Sequence, residues 1–303
     1  MIAFIFNGHA GRGFDHSWLE AHRQTIEGIA DGGPITVAEG GQALHQAVRQ
    51  ALALGCTGVV AGGGDGTLNC VASKLVGTPM SFGVLPMGTL NHFAKDLGIP
   101  LDPLEALKVI ARGHVDQIDV GEVNGHYFLN NSSIGLYVDL VHDREKQQER
   151  LGRGKWLAFA WAFVGVLRRY PFMTVTLMFD TKTKTMTHRT PFVFVGNNPY
   201  RTEGLRLGGR ESLQTGQLGV YIAERSGRWR LFALGLRALA GRLRQAKDFK
   251  TFSAVDLKID TSHNVLKVAT DGELNRMTTP LHYKIHARSL KVFVPAPQPG
   301  NTL

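Results

Sequence analysis

Cysteine is almost absent from this chain: Cys56 and Cys70 are the only two among 303 residues. Neither a zinc-ligand pattern nor a disulfide framework can be built from two thiols, so both ways of stabilising a fold are excluded. A chain without such a framework fits a reducing compartment. We therefore expect a cytoplasmic protein.

Long apolar segments are also missing. The apolar stretch 156–167 (WLAFAWAFVGVL) has 12 residues, whereas a helix needs ~20 residues to span a bilayer. We interpret it as a buried helix. The alternative is a lipid-entry wall, with Lys155 and Arg168-Arg169 as the basic anchors that flank it. Residues 1–6 lack the basic start and the length of a signal peptide, so we expect a β-strand there and no export.

Charged residues make up 19% of the chain and hydrophobic residues 43%, as is typical of a folded globular protein. The length suits two domains. The net charge of +9 and the pI of about 9.7 indicate an anionic partner: a nucleotide, a nucleic acid or a membrane surface. The run 228–250 carries seven basic residues. It is either a solvated helix face or a surface for anionic headgroups.

Four glycines and an acid crowd into the stretch 62–69 (GGGDGTLN), between a short apolar run and a helix-like apolar spacing over 68–76. The pattern predicts a strand-to-helix turn whose glycines take positive φ and leave backbone amides open to a ligand. These amides and the positive end of the helix dipole suit a phosphate, to which Thr67 could also donate. Asp65 would face phosphate only through a cation, which implies Mg²⁺. An ordinary glycine-rich turn is the alternative.

A second turn of the same kind follows at 85–94 (LPMGTLNHFA), again after a predicted strand and before a predicted helix. Strands and helices alternate up to about residue 112, which predicts a parallel sheet with right-handed crossovers. Ligands bind at the carboxyl ends of the strands of such a sheet, and both glycine turns lie there.

From about residue 114 the pattern changes to successive strands, with Asn124-Gly125 as a two-residue hairpin signal. The predicted strands are 114–121, 127–132, 172–179, 187–195, 218–223, 254–260, 265–269, 281–285 and 290–294. We therefore predict a nucleotide-binding α/β domain with a parallel sheet over 1–121, which 288–303 could rejoin. A mainly antiparallel β domain with helical insertions is predicted over 122–287.

Four motifs, in this order, resemble those of the diacylglycerol kinase catalytic-domain family, which includes bacterial lipid kinases, sphingosine kinases and ceramide kinases. The motifs are 63–67 (GGDGT), 86–95 (PMGTLNHFAK), 118–121 (IDVG) and 271–273 (DGE), and they span most of the chain. The first turn alone also fits NAD kinases and phosphofructokinases. The resemblance implies a lipid kinase that uses ATP and Mg²⁺. It also implies an α/β domain of the NAD kinase and diacylglycerol kinase type and a second domain that holds the lipid.

The resemblance also implies a set of site residues. Those expected to bind the nucleotide are Asn7, Gly62, Gly63, Gly64, Asp65, Gly66, Thr67, Asn69, Gly88, Thr89 and Asn91. Asp65 and Asp119 would hold Mg²⁺ through water. Asp271 is expected to be the base for the acceptor hydroxyl, with Asp65 as the alternative base. Glu273 would point the same way as Asp271, two residues on in an extended chain.

Two positions depart from the family pattern: His92 stands where the family has Asp, and Gln214-Thr215-Gly216 stands where many bacterial members have Asp-Asp-Gly. These lost acids make a catalytically silent nucleotide-binding protein one alternative, and the first turn makes an NAD kinase-like enzyme another. The acceptor is left open among diacylglycerol, ceramide, a sphingoid base and a polyprenol. We expect peripheral attachment to the anionic inner face of the membrane and no nucleic-acid partner, and we leave a homodimer open.

Overall fold

The computed structural model describes residues 1–8, 16–135, 172–179, 185–200, 210, 212–223 and 249–296. The chain divides into two compact units, Met1–Val120 with His286–Leu303, and Gly121–Ile285. The apolar stretch 156–167 and residues 228–248 of the basic run lie outside the described residues. Among the helices in the described ranges, none combines the length and the hydrophobicity that crossing a membrane requires.

The first unit alternates strands and helices. Its elements are β1 (Ile2–Asn7), α1 (His16–Ala30), β2 (Ile35–Ala38), α2 (Gly40–Ala53), β3 (Gly58–Gly63), α3 (Asp65–Ala72), β4 (Ser81–Pro86), α4 (His92–Asp96), α5 (Pro103–Arg112) and the start of β5 (Val115–Val123). Asp102 caps α5 by accepting from the amides of Leu104 and Glu105, and Gly113 ends that helix at φ 70°.

The sheet of the first unit has the strand order β2-β1-β3-β4, followed by the last part of β16 (Leu281–Phe293). Each of these neighbouring pairs is parallel. Strands β1, β3 and β4 are buried along nearly their whole length, as expected when helices cover a parallel sheet, whereas the edge strand β2 is mostly half-buried. The prediction of an α/β domain with a parallel sheet is confirmed. Strands β3 and β4 are neighbours, so the two glycine turns that follow them lie side by side.

The second unit consists of strands in its described part. They are β6 (His126–Phe128), β7 (Asn131–Gly135), β8 (Met173–Phe179), β9 (Thr185–Thr190), β10 (Phe192–Asn197), β11 (Leu218–Ala223), β12 (Phe249–Ala254), β13 (Asp256–Thr261), β14 (Val265–Thr270), β15 (Glu273–Thr278) and the first part of β16. One antiparallel sheet has the order β12-β11-β10-β7-β14-β15, and a second group has the order β16-β13-β8-β9.

The core of the second unit lies between these two groups of strands. Val195, Val220 and Val268 of the six-stranded sheet form one buried cluster with Leu257 and Tyr283 of the other group. Alternate residues of β8, β10, β11, β13 and β16 enter this cluster, as they do in a β-sandwich. The prediction of a mainly antiparallel β domain is therefore confirmed.

Several predicted strands need correction. The single strand predicted over 187–195 is two strands, because Pro191 lies between β9 and β10 and has no N–H for a ladder. The strands predicted over 281–285 and 290–294 are both parts of β16, which continues past Arg288 at φ 49°. Strands β12 and β15 have no predicted counterpart. The reason at β15 is that polar residues interrupt its apolar positions, and only Met277 is buried.

Candidate active site

The first glycine turn owes its glycines to close packing and not to backbone conformation. Gly64 is the N-cap of α3 at φ −87°, so it lies in the extended region, and the other glycines of the turn are likewise not among the residues with positive φ. The expectation of positive φ there is wrong. A Cβ on Gly62 would lie 2.5 Å from the ring of Phe6, and a Cβ on Gly63 would lie 2.6 Å from the side chain of Thr67.

The two glycine turns touch each other. A Cβ on Gly88 would lie 2.5 Å from the Cα of Gly64, and the amide of Met87 donates to the carbonyl of Gly63 at 3.0 Å. Gly64 has no side chain with which to cap α3. The first amides of this helix therefore lie beside the second turn, and together the two turns can present backbone N–H groups to one anionic ligand.

Asp65 and Asn91 hold the second turn in place. The Asp65 carboxylate accepts from the amides of His92 at 3.2 Å and Phe93 at 3.1 Å, so it caps α4 from the start of another helix. Asn91, at φ 50°, closes its turn on Gly88, since its Oδ1 accepts from the Gly88 amide and its Nδ2 donates to the Gly88 carbonyl. His92 contacts Asp65 through its backbone amide, and the His92 side chain is exposed.

Asn7 meets the first turn through Thr67. Its Nδ2 donates to Thr67 Oγ1 at 2.8 Å, which joins the end of β1 to the first turn of α3. Because this oxygen accepts from Asn7, the hydroxyl hydrogen of Thr67 can still be donated elsewhere. Asn69 is buried two residues further along the same helix, and Thr89 is exposed on the second turn.

The two carboxylates predicted to hold Mg²⁺ have different surroundings. Asp119 is fully buried, and its Oδ1 accepts from the Arg288 amide at 2.8 Å, so this contact joins β5 to β16, and its role as a magnesium ligand stays a prediction. Asp65 is partly exposed. Each of its carboxylate oxygens accepts one hydrogen bond from a backbone amide and has a further lone pair. Within the described ranges no three His, Cys, Asp or Glu side chains gather into a metal site.

Asp271 lies in the second unit, in the turn between β14 and β15. Asp271 and Gly272 have φ values of 48° and 89°, and Thr270 pairs with Glu273 across the turn. This is a two-residue hairpin. The chain therefore reverses direction between Asp271 and Glu273, so the expectation that an extended chain points both side chains the same way is wrong. Glu273 is exposed at the start of β15.

The Asp271 carboxylate accepts from three consecutive backbone amides: Leu129 at 2.7 Å, Asn130 at 2.9 Å and Asn131 at 2.9 Å. Burial raises the pKa of Asp271 to about 6, and this outweighs the three amides and the Arg210 guanidinium, which lower it. At neutral pH the carboxylate is mainly ionised, yet it binds a proton more readily than an exposed aspartate does.

Sequence reasoning missed the polar residues around this carboxylate. Arg210 donates to the carbonyls of Leu129 and Asn197 and to Asn130 Oδ1, and Asn197 Nδ2 donates to the Leu129 carbonyl. One available signal is the pair of asparagines at each of two strand ends, 130–131 at the start of β7 and 197–198 at the end of β10. For Arg210 the sequence carries no such signal, because its partners are 13 to 81 residues away.

Comparison with known proteins identifies the family. Residues 1–123 match the family described as the diacylglycerol kinase catalytic domain. Residues 132–294, more than half of the chain, match the family described as the YegS C-terminal NAD kinase beta sandwich-like domain. The chain belongs to the YegS-type diacylglycerol kinase family. The resemblance inferred from the four motifs is thereby confirmed.

The relatives of this diacylglycerol kinase family member align over only part of their length. A protein of Chromohalobacter salexigens named "Probable lipid kinase YegS-like" is 34% identical over 44% of this chain and 43% of its own length. A diacylglycerol kinase of Staphylococcus saprophyticus subsp. saprophyticus is 39% identical over 28% of each chain. The chain thus aligns with less than half of the length of these curated relatives.

Solved structures extend the likeness to the whole fold. A crystal structure titled as a diacylglycerol kinase from Bacillus anthracis covers 97% of this chain with a TM-score of 0.71 at 20% identity. A second structure from the same organism covers 97% with a TM-score of 0.73 at 23% identity. At such identities the likeness shows the fold of this diacylglycerol kinase family member.

Proposed function

We propose that this chain transfers the γ-phosphate of ATP to a hydroxyl group of a lipid. The observation that carries the proposal is the pair of glycine turns after β3 and β4, which touch at Gly64 and Gly88 and are tied together by Asp65. They lie at the carboxyl ends of neighbouring parallel strands, where α/β folds bind nucleotides. Membership of the diacylglycerol kinase family supports a lipid as the acceptor.

The glycine turns bind the phosphates of ATP in this proposal. The first amides of α3 and the positive end of its dipole attract phosphate oxygens. The Thr67 hydroxyl accepts from Asn7, which orients its hydrogen for donation to one of those oxygens. Gly62 and Gly63 keep β1, the turn and Thr67 in close contact, which holds the Thr67 hydroxyl close to the backbone of the turn.

We propose that magnesium arrives with the nucleotide as MgATP, where it neutralises charge on the phosphate oxygens. Asp65 fits the role of a carboxylate that faces this ion through water, since it is partly exposed and keeps unused lone pairs. The hydrogen bonds from the amides of His92 and Phe93 fix the Asp65 carboxylate against the second glycine turn. Asp119 supports β16 at Arg288 in this scheme.

Asp271 is the base in this proposal. The acceptor hydroxyl gives its proton to the Asp271 carboxylate while its oxygen attacks the γ-phosphorus, and the bond from phosphorus to the β,γ-bridging oxygen breaks to release ADP. A pKa of about 6 suits the task, because the group is ionised at neutral pH and still binds a proton. Asp65 is the alternative base, and it differs from Asp271 in facing the nucleotide turns.

We also propose that the protein attaches peripherally to the anionic inner face of the membrane, from the cytoplasm. The net charge of +9 supports attraction to anionic headgroups. A lipid acceptor with long acyl chains resides in the bilayer, so a kinase that works on it must reach that surface.

The direct test is a transfer assay with radiolabelled ATP and Mg²⁺ over mixed micelles of diacylglycerol, ceramide, a sphingoid base and a polyprenol. We expect label in one lipid class, and no label when Asp271→Asn replaces the native chain. NAD included as an acceptor tests the NAD kinase-like alternative. ATP binding without transfer to any acceptor would instead favour a silent nucleotide-binding protein, which the exposed His92 in place of an acid supports.

A further inference from the structure

Arg210 lies at the centre of a hydrogen-bonded cluster in the second unit. Its Nη1 donates to the carbonyl of Leu129 at 2.7 Å and to the carbonyl of Asn197 at 2.8 Å, and its Nη2 donates to Asn130 Oδ1 at 3.2 Å. Its guanidinium also lies 5.7 Å from the centre of the Tyr200 ring. The guanidinium meets these acceptors with two nitrogens held in one fixed plane, whereas a lysine offers donors on a single nitrogen.

Two of the carbonyls bound in this cluster, those of Leu129 and Asn130, belong to the same peptide groups whose amides bind Asp271. The Leu129 carbonyl and the Asn130 amide form one peptide group, which accepts from Arg210 on one side and donates to Asp271 on the other. The next peptide group is used in the same way: its Asn130 carbonyl accepts from the Tyr200 hydroxyl at 3.1 Å, and its Asn131 amide donates to Asp271. Hydrogen bonds in such a chain polarise and strengthen one another.

We propose that Arg210 is a positioning residue for Asp271: by holding the Leu129–Asn130 peptide group, it keeps the backbone amides aligned on the Asp271 carboxylate. The inference rests on the proposed function in one respect, the role of Asp271 as the base. Arg210 itself acts through the peptide groups and through its charge. Its part is to keep the carboxylate fixed and ionised at neutral pH.

The electrostatic surroundings of Asp271 support this role. Burial raises the pKa of the carboxylate, whereas the amides of Leu129, Asn130 and Asn131 and the positive charge of Arg210 lower it. Arg210 is the charged side chain that acts on Asp271 among the described residues, and Glu273, two residues along the chain, is exposed. Two effects that lower the pKa of Asp271 therefore depend on Arg210: its own positive charge and the alignment of the backbone amides. Removing Arg210 weakens both.

The test measures the ionisation of Asp271 directly. The carboxyl carbon of Asp271 is followed by NMR in protein labelled with ¹³C-aspartate, and the Asp271→Asn variant identifies its signal. In Arg210→Gln we expect the pKa of Asp271 to rise by about one unit, a tenfold change in proton affinity. Arg276→Gln is the matched control, because Arg276 is exposed on β15 and its loss removes the same charge. The control is expected to leave the pKa unchanged.

Two further variants separate charge from geometry. Arg210→Lys keeps the charge but loses the fork, so we expect a rise of less than one unit. Asn130→Ala removes only the Nη2 contact and leaves the peptide groups in place, so we expect a small rise in the same direction. These two variants decide the question if Arg210→Gln does not fold. An unchanged Asp271 pKa in every Arg210 and Asn130 variant that folds would overturn the inference.

A kinetic readout distinguishes failure of this inference from failure of the proposed function. If Asp271 is the base, the acidic limb of kcat/KM with the lipid acceptor shifts upward in Arg210→Gln by the same amount as the NMR pKa. A shifted NMR pKa with an unshifted kinetic limb keeps the positioning role and removes Asp271 as the base. An unshifted NMR pKa contradicts the positioning role whatever the activity is.

Discussion

Gly64 and Gly88 approach so closely that there is no room for a side chain at position 88. A Cβ on Gly88 would lie 2.5 Å from the Cα of Gly64, whereas a Cβ on Gly64 would meet the Cα of Gly88 at 3.4 Å. The contact is therefore asymmetric. Position 88 must be glycine because the backbone of Gly64 faces it, whereas position 64 has just enough space for a methyl group.

This asymmetry predicts different effects of two matched substitutions. Gly88→Ala forces the two turns apart, so we expect a loss of about 1–3 kcal/mol in the free energy of unfolding and at least tenfold weaker ATP binding. Gly64→Ala, in an extended conformation, is expected to leave the stability within about 0.5 kcal/mol. Urea unfolding and calorimetry measure both quantities. Equal effects of the two substitutions would contradict the asymmetric contact.

Asp65 caps α4 and faces the proposed nucleotide, and Asp102 offers a control that only caps. Each carboxylate accepts from two helix amides, so Asp65→Ala and Asp102→Ala should each lower the free energy of unfolding by about 1 kcal/mol. Only Asp65→Ala is expected to weaken ATP binding in the presence of Mg²⁺. If Asp102→Ala weakens it equally, the effect of Asp65 is one of stability alone.

Thr67 is expected to contribute its hydroxyl hydrogen to ATP. Thr67→Val keeps the shape and removes the hydroxyl, which also leaves the Asn7 amide without this acceptor, so ATP affinity should fall by about tenfold. Thr67→Ser keeps the hydroxyl and should bind ATP nearly as well as the native chain. Calorimetric titration with MgATP makes the comparison, and similar affinities in all three proteins would exclude a contact between Thr67 and the ligand.

Asp271 makes the stability of the fold depend on pH. Burial raises its pKa from 3.8 to about 6 in the folded state, so its contribution is fully present below about pH 4 and is lost as the pH rises through 6. Asparagine does not titrate and places an NH₂ group against backbone amides, so Asp271→Asn should be less stable throughout. We expect its deficit relative to the native chain to shrink between pH 4.5 and pH 7 in urea unfolding. A deficit that grows with pH would reverse the assigned direction of the pKa shift.

Membrane attachment should depend on salt. The net charge of +9 predicts binding to vesicles that contain phosphatidylserine, and this binding should weaken strongly as the screening length falls from ~10 Å at 0.1 M salt to ~3 Å at 1 M. Vesicles of phosphatidylcholine alone are the control. The double substitution Arg242→Glu and Arg244→Glu tests the basic run 228–250. Flotation that does not change with salt would leave apolar contact as the source of binding.

The amino-acid sequence by itself determined the local features of this protein. The alternation of strands and helices in the first unit and the hairpin at Asn124-Gly125 follow from the preferences of residues within a few positions of each other. The same holds for the capped start of α5 at Asp102 and Pro103. These features depend on residues that are close together in the sequence, so the sequence is enough to predict them.

Only the tertiary structure decided how distant residues meet. Asp65 caps a helix that begins 27 residues later, and Asp271 binds amides about 140 residues earlier. Arg210 holds the opposite side of those same peptide groups. A carboxylate or a guanidinium has no preferred partner along the chain, so its role is set by whichever unpaired backbone groups the packed sheets bring within hydrogen-bond reach.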